Sequence, residues 1–333
     1  MPSFSIVIPF KTGIEYLKEC LNSALAQEYT NFNIIILADN TSNVDGSIDY
    51  VKGLNNKNII IEESIETLNI LENWNRIKNI ERKEFMTILG YDDVLAPDFL
   101  STISTLIQTE PNASLYHTHF NYIDSKGAFI KTCLPLPYQL YAVDYLALSL
   151  KEAISIMATG YVFRSSDYDS IGGIPTNYPN LIYADLFLWI ELTKKSFLVV
   201  APSNHFSFRI HNSTTKTSKD KILLLAFIVF LKYLHKLSEE AIFSNTIKTL
   251  APNFIAKTTR SLAHRILRTP KKYRDGISVA EIFSTISKQT KEMNLVYEPM
   301  QIASMKTTLW IDQNPIAHWL FLLMKKIYKK PIY

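Results

Sequence analysis

Within the first hundred residues, short apolar runs rich in β-branched residues alternate four times with segments of helical periodicity, and few folds accept that pattern. Ser3–Pro9, Asn33–Ala38, Asn58–Glu62 and Phe85–Leu89 read as strands, the last apolar enough to be buried on both faces. Between them, Ile14, Leu17, Leu21, Ala24 and Leu25 mark an amphipathic helix over Ile14–Gln27. Ser47–Leu54 gives a short helix, and Ile70, Leu71, Trp74, Ile77 and Ile80 mark a third. The alternation predicts an α/β fold with a mostly parallel sheet, built by right-handed crossovers and flanked by helices. In such sheets ligands bind beyond the carboxyl ends of the strands.

Two acidic clusters fall at those ends. Asp39-Asn-Thr-Ser42 follows the second strand, and Asp92-Asp93 follows the fourth, after Gly90 lets the backbone turn. Pro97 and Asp98 suit the first turn of a helix running to about Gln108. Neighbouring carboxylates in this place can hold a hard divalent cation or serve as turn residues. Asp185 precedes the apolar run Leu186–Leu192, where a capping role is the ordinary one. His117 and His119 share a face of a strand over Ser114–Ile123, and structural histidines are the ordinary reading there too. Phe197–Val200 and His205–Ile210 read as two strands, the second leading into Arg209-Ile-His211-Asn212-Ser213.

Composition narrows the class. A chain of 333 residues, 47% hydrophobic and 20% charged, supports a large core and excludes a disordered chain. Cys20 and Cys133 give neither a disulfide framework nor a metal cluster, which fits a reducing cytosolic setting. No secretory pattern opens the sequence. Residues 251–333 carry 14 Lys+Arg against 5 Asp+Glu, whereas residues 1–250 carry 21 against 26. A basic C-terminal part points to an anionic partner, and without a recognisable reader motif nucleic acid is not the expected one.

From about residue 220 to 300 the chain reads as helical and basic, with Ile222–Leu231 apolar but too short to span a bilayer. Near the end, Trp319, Leu320, Leu323 and Ile327 share a helical face, followed or flanked by Lys325, Lys326, Lys329 and Lys330. That pattern fits an interfacial helix with a polybasic end, and equally a core-docked helix with a solvated lysine tail. The expected organisation is a catalytic-type α/β domain over residues 1–218 and a helical basic region over 219–333. Residues 314–333 form the segment suited to a membrane surface.

In this order and spacing the motifs resemble those of the family 2 glycosyltransferases of GT-A fold, over about Phe4 to Ser213. Ser5-Ile-Val-Ile-Pro9 and Tyr16–Gln27 resemble the opening strand and helix, Phe32–Ser42 the second strand with its nucleotide-binding turn, Asn73-Trp-Asn75 a variant common in the family, and Leu89-Gly-Tyr-Asp-Asp93 the acidic motif. The resemblance implies a GT-A (Rossmann-like) fold with a helical C-terminal extension. It also implies an inverting transferase that moves a sugar from a nucleoside-diphosphate sugar to a hydroxyl acceptor. Pro9, Asp39, Asn73, Asp92 and Arg209 would form the donor site; Asp92, Asp93 and His211 would hold Mg²⁺ or Mn²⁺; and Asp185 would be the general base. Asp39 would accept a hydrogen bond from the base, favouring a UDP- or dTDP-sugar, since uracil and thymine carry an imide N–H. Relatives of this kind often build surface polysaccharide such as capsule or O-antigen, on glycan or lipid-linked acceptors at the cytoplasmic face of a membrane.

The sequence departs from the family pattern at Ala38, Asn40, Gly90 and Ala184, which leaves base recognition to Asp39 and metal binding to two carboxylates. These departures motivate the alternative of a catalytically silent GT-A-like scaffold or binding protein. A nucleotidyltransferase should instead show a glycine-rich loop after the first strand, and Pro9-Phe-Lys-Thr-Gly13 has one glycine.

Overall fold

The computed structural model describes residues 1–211, 217–295 and 297–327. Asn212, Ser213, Lys329 and Lys330, and the side chains of Lys326 and Ile327, lie outside the described residues. In chain order the first elements are β1 (Phe4–Pro9), α1 (Ile14–Leu25), β2 (Phe32–Ala38), α2 (Ser47–Gly53), β3 (Ile59–Glu63), α3 (Ile70–Asn75) and β4 (Phe85–Ile88). Next come β5 (Val94–Leu95), α4 (Phe99–Thr109), β6 (Leu115–Ile123), β7 (Phe129–Thr132), β8 (Gln139–Leu140) and α5 (Ala142–Leu150). They are followed by β9 (Val162–Arg164), α6 (Ser165–Ser170), α7 (Ala184–Lys194) and β10 (Leu198–Arg209). The remaining described helices are α8 (Asp220–Ser238), α9 (Ala241–Leu267), α10 (Val279–Glu292), α11 (Ala303–Gln313) and α12 (Pro315–Ile327).

The described strands form one sheet in the order β3-β2-β1-β4-β9-β6-β10-β5, with β7 on β6 and β8 on β10. Every residue of β1 and β4 is buried, because both faces of these strands are covered. Val7 of β1 pairs in parallel with Ile35 of β2 on one side and Ile88 of β4 on the other. On one face of the sheet, α1 packs through Leu17, Cys20, Leu21 and Ala24. Burying the Leu17 and Leu21 side chains contributes about 1.5–3 kcal/mol each.

The stretch β3-β2-β1-β4 is parallel, as the strand and helix alternation predicts, and so is the pair β6 and β10. Antiparallel β9 joins the two parts, and β5, β7 and β8 add antiparallel edges, so the sheet as a whole is mixed. The two strands expected at Phe197–Val200 and His205–Ile210 are one strand, β10. Its register slips between Ala201 and Asn204 and again before Phe206. Pro202 lies in that slip, where a residue without an N–H costs no ladder bond.

Residues divide into two units, Met1–Asn177 with Ala184–Ser213, and Tyr178–Tyr183 with Thr214–Tyr333. The second is helical. Its centre is α8, buried through Leu223, Phe227, Phe230, Leu231 and Leu234. Within this unit the Tyr183 ring stacks on Phe230 at 4.9 Å between centroids, and the Asn180 side-chain amide donates to the Ser218 hydroxyl at 3.0 Å. No helix among the described residues is long and apolar enough to cross a membrane.

Candidate active site

Because β2, β1 and β4 are adjacent and parallel, Asp39, the loop after Pro9 and the Asp92-Asp93 turn share one edge of the sheet. The turn after β4 is closed by the Asp93 N–H on the Gly90 carbonyl at 3.0 Å. A Cβ on Gly90 would stand 2.7 Å from Asp93 Oδ2 and 2.9 Å from Asp92 Oδ1. The glycine therefore makes room for both carboxylates, where any side chain would crowd them.

The two carboxylates then part company. Asp93 is 1% exposed; its Oδ1 accepts from the Arg209 N–H at 2.8 Å and its Oδ2 from the Thr159 hydroxyl at 2.6 Å. Burial first, and the neighbouring Asp92 charge second, push the Asp93 carboxyl well above its ordinary range. Asp92 is partly exposed, and its Oδ2 accepts from His211 Nε2. Its carbonyl accepts from Arg209 Nε at 2.7 Å.

Arg209 is a buried bracket. Its remaining guanidinium nitrogens donate to the Asp124 carbonyl at 3.1 Å and to Glu19 Oε2 at 2.6 Å. Its side chain is 1% exposed and lies over the Tyr16 ring, 5.0 Å from the centroid. A charged donor held on charged and carbonyl partners fixes the end of β10, and with it His211, against α1 and the acidic turn. The His211 ring lies 5.3 Å from the same tyrosine ring.

At the end of β2, Asp39 is buried and densely bonded. Oδ1 accepts from the Thr41 N–H at 2.8 Å, the Thr41 hydroxyl at 2.6 Å and the Ser42 hydroxyl at 3.2 Å. Oδ2 accepts from Lys11 Nζ at 3.0 Å and the Leu68 N–H at 2.9 Å. Burial raises its proton affinity, but these bonds outweigh burial and hold the carboxyl well below the usual range. Asp45 does the same work for the loop after β1, accepting from the Gly13 and Ile14 N–H groups at 2.8 and 3.0 Å. Pro9 is buried and pairs with Leu37. Asn73 is buried as well; its amide donates to the Phe10 and Leu37 carbonyls and accepts from Arg76, so it ties the ends of β1 and β2 together.

Asp185 lies in the first turn of α7, and its Oδ1 accepts from the Leu186 N–H at 2.8 Å. One turn further along the helix, Trp189 is fully buried; its Nε1 donates to the Met157 carbonyl at 2.9 Å and its ring stacks on Tyr161 at 4.3 Å. Tyr161 in turn stacks on His117 at 3.8 Å and its hydroxyl is 3.0 Å from that of Tyr145. Burial pushes the Asp185 carboxyl up to about 6 despite the bond from Leu186. A carboxylate so placed is ionised at neutral pH yet basic enough to take a proton. His117 donates from Nδ1 to the Gly160 carbonyl at 2.9 Å, and His119 bonds the backbone at Pro202 and Leu136, so both histidines are structural.

Among the described residues no group of three or more His, Cys, Asp or Glu side chains could hold a metal ion. Asp92 and His211 nevertheless offer one oxygen and one nitrogen ligand. That pair suits a divalent ion whose other ligands are water and phosphate, a habit of Mg²⁺ and within the range of Mn²⁺.

The family model described as "Glycosyl transferase family 2" matches residues 5–163, which contain the β1 loop, the Asp39 turn and the Asp92-Asp93 turn. Residues 5–163 thus carry a glycosyl transferase family 2 region. It is 23% identical over 164 residues to the glycosyltransferase GlyG of Streptococcus pneumoniae serotype 4, covering 49% of this chain and 53% of that protein. It is 22% identical over 245 residues to an uncharacterized glycosyltransferase of Rickettsia felis, covering 72% of this chain and 39% of that protein. The matches thus span about half or less of these relatives' length. Among solved structures, Staphylococcus aureus TarS 1–349 in complex with UDP-GlcNAc superposes with a TM-score of 0.57 at 12% identity, covering 93% of this chain and 91% of that one. The mannosyltransferase PcManGT from Pyrobaculum calidifontis in complex with GDP-Man and Mn²⁺ gives a TM-score of 0.51 at 11% identity, covering 98% and 88%. These likenesses show that the fold is GT-A-like.

The structure brings Asp92, Asp93, Arg209 and His211 together across more than a hundred residues of sequence. It also brings in residues that the sequence motifs do not name: Thr159, Glu19, Lys11 and Asp45. Each has a site partner distant in the chain, by 28 residues for Lys11 and by 190 for Glu19, so local sequence does not single it out. Thr159 bridges two motif residues, accepting from the Gly90 N–H at 3.0 Å while donating to Asp93.

Proposed function

We propose that this chain is a metal-dependent, inverting glycosyltransferase that moves a sugar from a nucleoside-diphosphate sugar to a hydroxyl acceptor. The observation that carries the reading is the meeting of the Asp92 carboxylate with the His211 imidazole beyond the carboxyl end of β4. In a chain of this family, that is where a donor diphosphate and a divalent ion are to be received. TarS holding UDP-GlcNAc and PcManGT holding GDP-Man with Mn²⁺, on a similar fold, support the same donor class.

In this reading Asp92 and His211 are the protein's ligands to Mg²⁺ or Mn²⁺, while Asp93 is buried support for the turn. Once bound, the ion would offset negative charge on the departing nucleoside diphosphate. The Asp39 turn receives the base. Lys11, half exposed on Asp39, is the partner that an imide N–H of a UDP- or dTDP-sugar would displace. Asp185 takes the proton from the acceptor hydroxyl as that oxygen attacks the anomeric carbon. The new C–O bond forms opposite the breaking bond to the diphosphate, so configuration inverts. The acceptor is a growing surface glycan or a lipid-linked glycan, with the protein working at the cytoplasmic face of a membrane; the basic C-terminal region supports that placement.

Thermal unfolding with a panel of sugar nucleotides, each with and without Mn²⁺, tests the donor class, because a ligand of the native state raises its stability. A metal-dependent rise is expected for one donor. For the mechanism, transfer measured as kcat/KM should fall as pH drops through about 6, where Asp185 gains its proton. Asp185→Asn should keep donor binding and lose transfer about 10²–10⁴-fold. Full transfer in that variant would remove Asp185 as the base. A second reading, a catalytically silent scaffold, is favoured by the full bonding of Asp39 and Arg209 to protein partners, and no rise with any donor would select it.

A further inference from the structure

The last described helix of the helical unit is docked on one side and bare on the other. In α12, His318 is buried and Phe321 and Leu322 are half-buried, and His318 Nε2 lies 3.0 Å from the Leu267 carbonyl. The opposite side presents Ile316, Trp319, Leu320, Leu323 and Met324, each between 43% and 71% exposed. Their spacing of three and four residues makes one continuous apolar stripe. On α11 of the same unit, Trp310 is 58% exposed, one turn from the exposed Lys306. Isolated exposed apolar residues are ordinary, but a stripe of this kind with exposed tryptophan marks a surface that meets something.

Charge says what it meets. Residues 303–333 hold five lysines, Lys306, Lys325, Lys326, Lys329 and Lys330, and a single acid, Asp312. Asp312 is buried and paired with Arg274, and it also accepts from the Val279 N–H, so it does not offset the exposed Lys306 and Lys325. Lys325 is exposed and leans over the Phe321 ring, 5.8 Å from the centroid. A protein partner or a second copy would need a matching acidic, apolar groove, whereas an anionic bilayer offers both properties at once. The helix has 13 residues, about 20 Å of length, and therefore lies along a bilayer instead of crossing one.

We propose that the α12 stripe, with Trp310 of α11, is a docking face for an anionic lipid surface. The apolar residues enter the boundary between headgroups and acyl chains, and the exposed Lys306 and Lys325 rest on the lipid phosphates. This proposal gives the membrane placement under the proposed function a defined surface, and it stands or falls separately from the chemistry.

The test uses the full chain with vesicles of phosphatidylcholine, with and without phosphatidylglycerol, at physiological salt. Binding to the anionic vesicles is expected, at least about tenfold tighter than to the neutral ones. Tryptophan emission should shift to the blue as Trp310 and Trp319 leave water. Leu320→Glu with Leu323→Glu should reduce co-sedimentation at least about tenfold while thermal midpoint and donor binding stay unchanged. Lys325→Gln with Lys326→Gln should weaken binding to the anionic vesicles and leave the neutral ones unaffected. The proposal is overturned if the leucine pair still binds as the parent does, or if neutral and anionic vesicles bind alike. It is also overturned if light scattering shows a dimer that the same leucine substitutions dissolve, since the stripe then belongs to a second copy. Donor binding in the same preparations separates this outcome from failure of the transferase reading.

Discussion

The ends of β2 and β4 flank β1 on one edge of the sheet, both carry aspartate, and they use it in opposite ways. At β2, Asp39 accepts five bonds from its own turn, from Lys11 and from Leu68, and the carboxylate has no free lone pair to offer without displacing one of them. At β4 the work is divided between neighbours. Asp93 is buried and satisfied by Arg209 and Thr159, which leaves Asp92 partly open with an imidazole beside it. Two acids at strand ends look alike in sequence. What separates a carboxylate that builds a turn from one that can take a cation is how many of its lone pairs the fold has already filled.

The largest effect should come from the open carboxylate. Asp92→Asn is expected to lower transfer about 100-fold, about 2.7 kcal/mol of transition-state stabilisation, with little change in thermal midpoint. Addition of EDTA should lower the activity of the parent and have almost no further effect on the variant. Asp39→Asn should differ by losing about 2–3 kcal/mol of stability at neutral pH, because buried donors lose their acceptor, in addition to weaker donor binding. Since bonding holds the Asp39 carboxyl below its unfolded range, the stability it contributes is present above about pH 4 and drains away as pH falls. Urea unfolding of parent and variant should therefore converge in acid. If Asp39→Asn left stability intact, the contrast between the two ends would be wrong.

Much of this was legible in the sequence. β1, α1, β2 and β4 announce themselves by periodicity, and the strand-end position of Asp39 and Asp92 follows from them without any contact being known. Arg209 and His211 could be placed beside the acidic turn by resemblance, but not by chemistry, because antiparallel pairing with β5 carries β10 there from over a hundred residues away. Division of labour between Asp92 and Asp93 could not be read, since it depends on Thr159, whose neighbours in sequence say nothing of a partner 66 residues back. The tail was ambiguous for a related reason. One helical periodicity serves a docked face and a bare face equally, and only the burial of His318 beside the exposure of Trp319 tells the two sides of α12 apart.

Gly90 and Thr159 sharpen the contrast at smaller scale. In Gly90→Ala the new methyl would meet the ends of both carboxylates, which can turn aside where backbone could not, so the fold should survive with a loss of about 1–2 kcal/mol. The turning should show as donor affinity reduced about tenfold, because Asp92 then leaves His211. Unchanged affinity would mean that the carboxylate positions at the end of β4 are not what the donor reads.

Thr159→Val keeps the shape of the side chain and removes a hydroxyl that joins the Gly90 N–H to Asp93 Oδ2. A neutral hydroxyl between a backbone donor and a buried carboxylate should be worth about 1 kcal/mol, and Thr159→Ser should recover it. The informative readout is the ratio of two losses. If Thr159 acts by holding Asp93 so that Asp92 faces His211, the valine variant should raise the KM for donor several-fold while kcat at saturating donor barely moves, and serine should restore the KM. Were kcat to fall instead with KM unchanged, the hydroxyl would act on the transfer step and not on donor binding, and the division between the two neighbouring aspartates would need another cause.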